Sequence, residues 1–126
     1  RVEPADAEAM ALLDLANAAQ IRAGGDPFIG PKLKGLFETA GFTPVNIETP
    51  TIGGGDEAPG ERAKLSEEFA EIFESLDEAL GAQTAPQLHA AAARLRALAN
   101  QPGAHISYVP TLVTATKPPG VGAALR

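Results

Sequence analysis

Gly24-Gly25-Asp26-Pro27-Phe28-Ile29-Gly30-Pro31-Lys32-Leu33-Lys34-Gly35-Leu36-Phe37-Glu38-Thr39-Ala40-Gly41-Phe42 reads as a rigid loop feeding a short helix that stops sharply. Pro27 and Pro31 each fix φ at about −65°, and the glycines allow backbone shapes that other residues resist. Pro31 suits the first helical position, where a missing N–H is no loss. Leu33, Leu36, Phe37 and Ala40 then mark one apolar face at helical spacing, which predicts a helix over 31–40. Gly41 fits a left-handed C-terminal cap, and Phe42 is placed to fold back over the last turn. A strand over 43–49 is expected to follow at once.

On the N-terminal side, Arg1-Val2-Glu3 fits either the tail of a strand or an irregular end. Residues 5–23 are rich in Ala and Leu, strong helix formers. Leu12, Leu13, Leu15, Ala16 and Ala19 give that helix a broad apolar side, with Met10 and Ile21 at its edges, and Gly24-Gly25 ends it. On the C-terminal side, Val45, Ile47 and Thr49 alternate with Asn46 and Glu48. Pro44 and Pro50 flank them, so this strand reads as an edge strand. Residues 51–60, with Gly53-Gly54-Gly55, read as a loop and mobile hinge.

A third helix is expected over 61–80, where Leu65, Phe69, Ile72, Phe73, Leu76 and Leu80 form an amphipathic stripe opposite Glu67, Glu68, Glu71, Glu74 and Glu78. Thr84 and Gln87 have capping-box spacing, opening a fourth helix over 84–100 whose face is Leu88, Ala91, Ala92, Leu95, Leu98 and Ala99. The short link makes helices three and four antiparallel neighbours. After the Pro102-Gly103 turn, residues 105–116 read as a second strand. It is apolar on both faces, as a central strand is, although Pro110 demands a bulge or break. Lys117-Pro118-Pro119-Gly120 ends the fold, with a tail after it.

The chain has 126 residues, which suits one domain, and 44% are hydrophobic against 21% charged, so it is globular. A formal net charge of −6 disfavours nucleic acid and anionic membrane as partners. There is no cysteine, hence no disulfide and no thiolate chemistry. No apolar run approaches the roughly 20 residues of a membrane helix, and no signal peptide is visible. The default compartment is the cytoplasm. The first residue is Arg rather than Met, which suggests a processed or partial chain.

Gly-Gly-Asp-Pro-x-Ile-Gly-x-x-Leu over 24–33, followed by Leu-Phe-x-x-Ala-Gly-Phe-x-x-Val over 36–45, resembles the C-terminal half of class I S-adenosylmethionine-dependent methyltransferases. The match is closest to the small-molecule branch similar to the ubiquinone/menaquinone-biosynthesis enzymes. The turn at Gln101-Pro102-Gly103 and the apolar strand after it extend the resemblance over most of the chain. It implies an α/β fold: the C-terminal part of a Rossmann-like sheet, with about four helices. In the family the strand after this helix is outermost, and it pairs antiparallel with the last strand, so 43–49 and 105–116 form a two-stranded pair. The helical hairpin 61–100 lies between them as an insertion, and such insertions often cap the substrate site. The implied cofactor is S-adenosylmethionine, held in the family by a Gly-rich turn after the first strand and an acidic residue after the second. Neither occurs in this chain, so the cofactor site is not contained in it. The implied partner is a small-molecule methyl acceptor.

The residues themselves offer few sites. Gly53-Gly54-Gly55 lies between a strand and a helix, where phosphate loops occur, but it lacks the dinucleotide and Walker fingerprints. Asp56, Glu57 and Glu61 would repel a phosphate. His89 and His105 have no cysteine and no His-x-x-x-His spacing beside them, so no metal site is read. No serine has a nucleophile elbow around it. Four residues are candidates for a substrate pocket. Asp26 fits either a ligand-orienting carboxylate or an acceptor for its own turn. Phe28 and Ile29 fit either a pocket wall or a staple holding the loop. Tyr108, the single tyrosine, fits core or pocket.

Two functions follow. The first is the substrate-side part of a methyltransferase, in which the protein supplies proximity and orientation. The second is a stand-alone α+β module with no catalytic activity that binds a partner or an apolar ligand. Two strands make too small a sheet to stand alone, and the inner strand would have one bare edge. Both points lead to an expected neighbour, either a missing N-terminal segment or a second copy.

Overall fold

A computed structural model describes residues 1–117. In chain order the elements are β1 (Val2–Glu3), α1 (Ala7–Arg22), α2 (Leu33–Thr39), β2 (Val45–Glu48), β3 (Ile52–Gly54), α3 (Pro59–Ser75), the single turn α4 (Asp77–Leu80), α5 (Ala85–Ala97), β4 (His105–Tyr108) and β5 (Leu112–Ala115). Short 3-10 turns precede α2 at Gly30–Lys32 and flank α5 at Ala82–Thr84 and Leu98–Asn100. Among the described residues the fold is α/β, with four helices besides the single turn α4 and small antiparallel sheets. The expected stop at Pro118-Pro119-Gly120 and the tail after it lie outside the described residues. The described residues divide into two compact units, residues 1–25 with 51–108, and residues 26–50 with 109–117.

The larger unit holds the core. Its sheet has the order β1-β4-β3, antiparallel throughout, with Val2 opposite Ile106 and Gly53 opposite Ser107. α3 packs on it, and α5 packs on α3. Glu74 reaches His89, whereas Glu67 reaches Arg96, later in α5, so the two helices run antiparallel as their short link requires. Leu65, Ala70 and Phe73 of α3 are buried with Leu88, Ala91, Ala92 and Leu95 of α5, and Ile106 of β4 lies beneath them. Ala9 and Leu12 dock α1 onto this core, and Asp6 caps it by accepting the Ala9 N–H at 3.0 Å. Arg94 of α5 clasps both oxygens of Asp6, at 2.8 and 3.1 Å.

Several expectations are corrected here. Residues 105–116 are not one strand: they break at Val109-Pro110-Thr111 into β4 and β5, which join different sheets. Proline has no N–H for a ladder, which is the reason for the break. Residues 51–60 are not all loop, because Ile52–Gly54 forms β3. The inner strand β4 has no bare edge there, since Val2–Glu3 pairs with one side and β3 with the other. The third helix begins at Pro59 and stops at Ser75; Leu76 caps it, and the separate turn α4 starts at Asp77. Ile72 faces outward at 48% exposure rather than into the stripe. The capping box is not formed: Thr84 is itself helical, and its hydroxyl donates to the Gly81 carbonyl at 2.7 Å. Leu15 is exposed, so the apolar side of α1 that is buried is narrower than expected.

The smaller unit contains the helix–Gly–strand segment. At the end of α2 the Gly41 N–H donates to Glu38 and the Phe42 N–H to Phe37, the two bonds of a Schellman stop. Gly41 has φ of 94°. The Phe42 ring meets Phe37 edge-on at 5.4 Å, the hydrophobic contact that completes the motif. β2 then pairs antiparallel with β5, Val45 opposite Ala115 and Ile47 opposite Val113. Among the described residues of this unit, none is buried.

Gly53 seats α3 on the sheet. It has φ of +97°, and a Cβ there would run into the Ile106 carbonyl and come within 2.6 Å of Leu65 Cδ2. Gly53→Ala combines left-handed strain with overpacking, and is expected to cost about 3 kcal/mol. Urea unfolding of the variant beside Gly60→Ala, at a helical position with open space around it, checks this; equal stability of the two would refute it.

Candidate functional site

An apolar cavity of about 240 Å3 opens within the larger unit, between α1, α3 and the β1–β4 edge. β4 supplies Ile106 and Tyr108, two residues apart and so on one face of the strand. α3 supplies Phe69 and Phe73 at i and i+4, stacked on one helix face. α1 supplies Ala9, Met10 and Leu13, by the same spacing. Val2 and Leu95 complete the apolar lining, and Arg1 and Ser107 are the remaining residues. Tyr108 and Phe69 stand edge-to-face, their centroids 5.7 Å apart at 85°. Ile106 is fully buried, while Tyr108 is 42% and Met10 47% exposed, so the cavity has a closed floor and an open mouth. Arg1 carries the one cationic side chain of the lining, and its Nε donates to Glu3 at 2.9 Å.

Other hollows exist in this unit. One, of about 370 Å3, lies beside the Asp6–Arg94 pair and Gln101. Another, of about 560 Å3, lies between α1 and Leu76–Ala79, with four alanines in its wall. A further one, of about 290 Å3, is lined by Val2, Asp6 and Met10 among others. None of these carries an aromatic side chain.

The polar groups near the sheet form a separate arrangement. Arg62 is buried, and its guanidinium donates to Asp56 at 2.7 Å and to the Ala104 carbonyl at 2.9 Å. Asp56 also accepts the Gly103 N–H at 3.1 and 3.0 Å, one distance to each oxygen. Together these bonds tie the Pro102-Gly103 turn to the start of α3. Arg62 Nε and Ser66 Oγ, one helical turn apart, are buried with no hydrogen-bond partner among the described residues. His105 Nε2 lies 2.8 Å from Ser107 Oγ. A nucleophile of this kind needs a third group to orient the imidazole. Among the described residues no carboxylate bonds to His105, and the pair reads as a local contact along one strand face.

Of the four residues singled out in the sequence, Tyr108 lies on the cavity wall in the larger unit. Asp26, Phe28 and Ile29 belong to the smaller unit. Both oxygens of Asp26 are occupied within its own turn: Oδ1 accepts the Phe28 N–H at 2.9 Å and Oδ2 pairs with Lys32 Nζ at 2.6 Å. The Lys32 ammonium, followed by the Phe28 N–H, holds this carboxyl below the usual range. Phe28 and Ile29 are exposed. In the sequence Phe69 falls in the helical stripe, with no sign of the cavity it lines or of the burial of Arg62. The 3.6 period gives the face of a helix, not the strand that it meets.

Among the described residues no three His, Asp or Glu side chains gather to hold a metal, and no helix is long and apolar enough to cross a membrane. No protein-family model and no curated protein matches this chain.

Two consequences can be measured. Tyr108 is the single tyrosine and the chain has no tryptophan, so near-ultraviolet dichroism in the tyrosine band reports this wall directly. Phe69→Leu is expected to weaken that band and to cost about 1 kcal/mol for the lost edge-to-face pair; an unchanged band would show that the two rings are not in contact. The second consequence is electrostatic. The Arg94 guanidinium, with the Ala9 N–H, lowers the Asp6 pKa, and Arg62, with the Gly103 N–H, lowers that of Asp56. A lowered folded-state pKa contributes stability above the unfolded value of about 3.9, lost as pH falls through the folded value. Urea midpoints of the wild type are therefore expected to drop below about pH 4. In Asp6→Asn the midpoint should be lower at neutral pH and fall less in acid. A parallel acid limb in the variant contradicts this.

Proposed function

We propose that this chain is the substrate-side part of an S-adenosylmethionine-dependent methyltransferase acting on a small molecule, with the Gly-rich cofactor-holding turn outside these residues. One observation carries the reading. β2, the strand after the Gly41-Phe42 stop, pairs antiparallel with β5, and the α3–α5 hairpin lies between the two in sequence. That is the order that the family resemblance implies. On this reading the chain orients a methyl acceptor whose O, N or C nucleophile attacks the cofactor's methyl group. The protein's contribution is proximity and a dry, shaped surface rather than acid–base chemistry.

A second reading is a non-catalytic α+β binding module. It is favoured by the pairing of both β4 edges within the chain, which gives the larger unit a sheet of three strands and a core of its own.

The natural reading frame before Arg1 separates the two. The first reading expects a strand–Gly-x-Gly–helix unit about 100 residues upstream, within the span of one domain. Calorimetric titration of the longer chain with S-adenosylmethionine should then give saturable binding that residues 1–126 lack. An upstream frame without that unit, or tight cofactor binding by residues 1–126 alone, overturns the reading.

A further inference from the structure

We propose that the cavity between α1, α3 and β4 is a binding site for a flat, uncharged aromatic molecule of one or two rings. The inference needs only the larger unit and holds on either reading of the chain's function.

Size sets the first limit. A dry apolar cavity of about 150 Å3 admits benzene. The volume of about 240 Å3 here is larger by roughly the space of a second fused ring. It is too small for a drug-sized ligand, whose sites run from about 300 Å3 upward.

Shape and chemistry set the second. Phe69 and Tyr108 already meet edge-to-face at 5.7 Å, and Phe73 lies one turn beyond Phe69 on the same helix face. A planar ligand seated against this aromatic wall extends the edge-to-face or offset arrangement that aromatic rings prefer. Met10 stands at the mouth, where its thioether adapts to a ring edge. An aliphatic chain would gain the burial but not these ring contacts.

Charge sets the third. Arg1 brings the charged groups of the lining, and both are already partnered: its guanidinium pairs with Glu3, and its N-terminal ammonium donates to the Ser107 carbonyl at 2.8 Å. An ionised ligand would lose its hydration and would have to break one of these bonds to find a counter-charge. The exposure of Tyr108 and Met10 gives an uncharged ligand its way in.

The test is titration of the folded chain with naphthalene, and separately with 1-naphthoate, followed by methyl NMR. Naphthalene should give saturable shifts at the methyls of Met10, Leu13 and Ile106, with 1-naphthoate at least about tenfold weaker, since one unpaired charge costs more than the 1.4 kcal/mol of a tenfold change. Leu13→Phe fills the cavity and should weaken naphthalene about tenfold or more. Met10→Trp, at an exposed rim position that does not threaten folding, should do so as well by closing the mouth. The proposal is overturned if the folded wild type shows no saturable shift, or if both folded variants bind as the wild type does. It is equally overturned if the shifts map to Ala16, Ala19 and Ala79 around the wider hollow, or if 1-naphthoate binds as tightly as naphthalene.

Discussion

The close approach of α3 to the sheet at Gly53 is the constraint on which the larger unit rests. Leu65 lies where a side chain on residue 53 would be, and the backbone of Ile106 and Ser107 passes directly beneath. Only hydrogen fits there. The contact brings Phe69 and Phe73 over β4, which makes both the core and the cavity beside it. It also sets α5, because α5 reaches the sheet through its packing on α3. Burial of Leu65, Phe73, Leu88 and Leu95 supplies the driving force; each such side chain contributes about 1.5–3 kcal/mol.

Charge then fixes register without adding much to stability. Arg96 bridges Glu67 and Glu74 of α3, and Arg94 holds Asp6 at the start of α1. These pairs are largely exposed, and pairs of that kind contribute about 0–1 kcal/mol each. Arg62 differs, because it is buried. Its guanidinium has two partners, Asp56 and Ala104, so removing Asp56 would leave a buried charge half satisfied.

The helices were legible because their apolar residues recur at 3.6 spacing: α3 and α5 lie where Leu65, Phe73, Leu88 and Leu95 put them. The stop at Gly41-Phe42 was equally plain, since glycine and a following aromatic residue carry the whole motif locally. β3 was not legible. Gly53-Gly54 has the composition of a loop, and glycine enters that strand because α3 leaves no space for a side chain, a fact of tertiary structure. Pro110 announced an interruption, but not that the two halves of the segment join different sheets. The cavity was half legible. Tyr108 stood out as the lone tyrosine, yet its partner Phe69 is remote in sequence and nothing local links them. Arg62 reads as one more polar residue on a charged helix; its burial follows from the turn at Gly103 folding over it.

The smaller unit has a different physical character. Its ribbon β2–β5 and helix α2 join through a good cap and a four-residue ladder, but no described side chain there is buried. Backbone amides in such a ribbon are shielded by their ladder bonds alone, so they open without disturbing Ile106 or Leu88. In deuterium oxide the amides of Val45–Glu48 and Leu112–Ala115 are therefore expected to exchange early, and those of β4 late. The stretch 105–115 would thus pass from slow to fast exchange within three residues, at Val109-Pro110-Thr111.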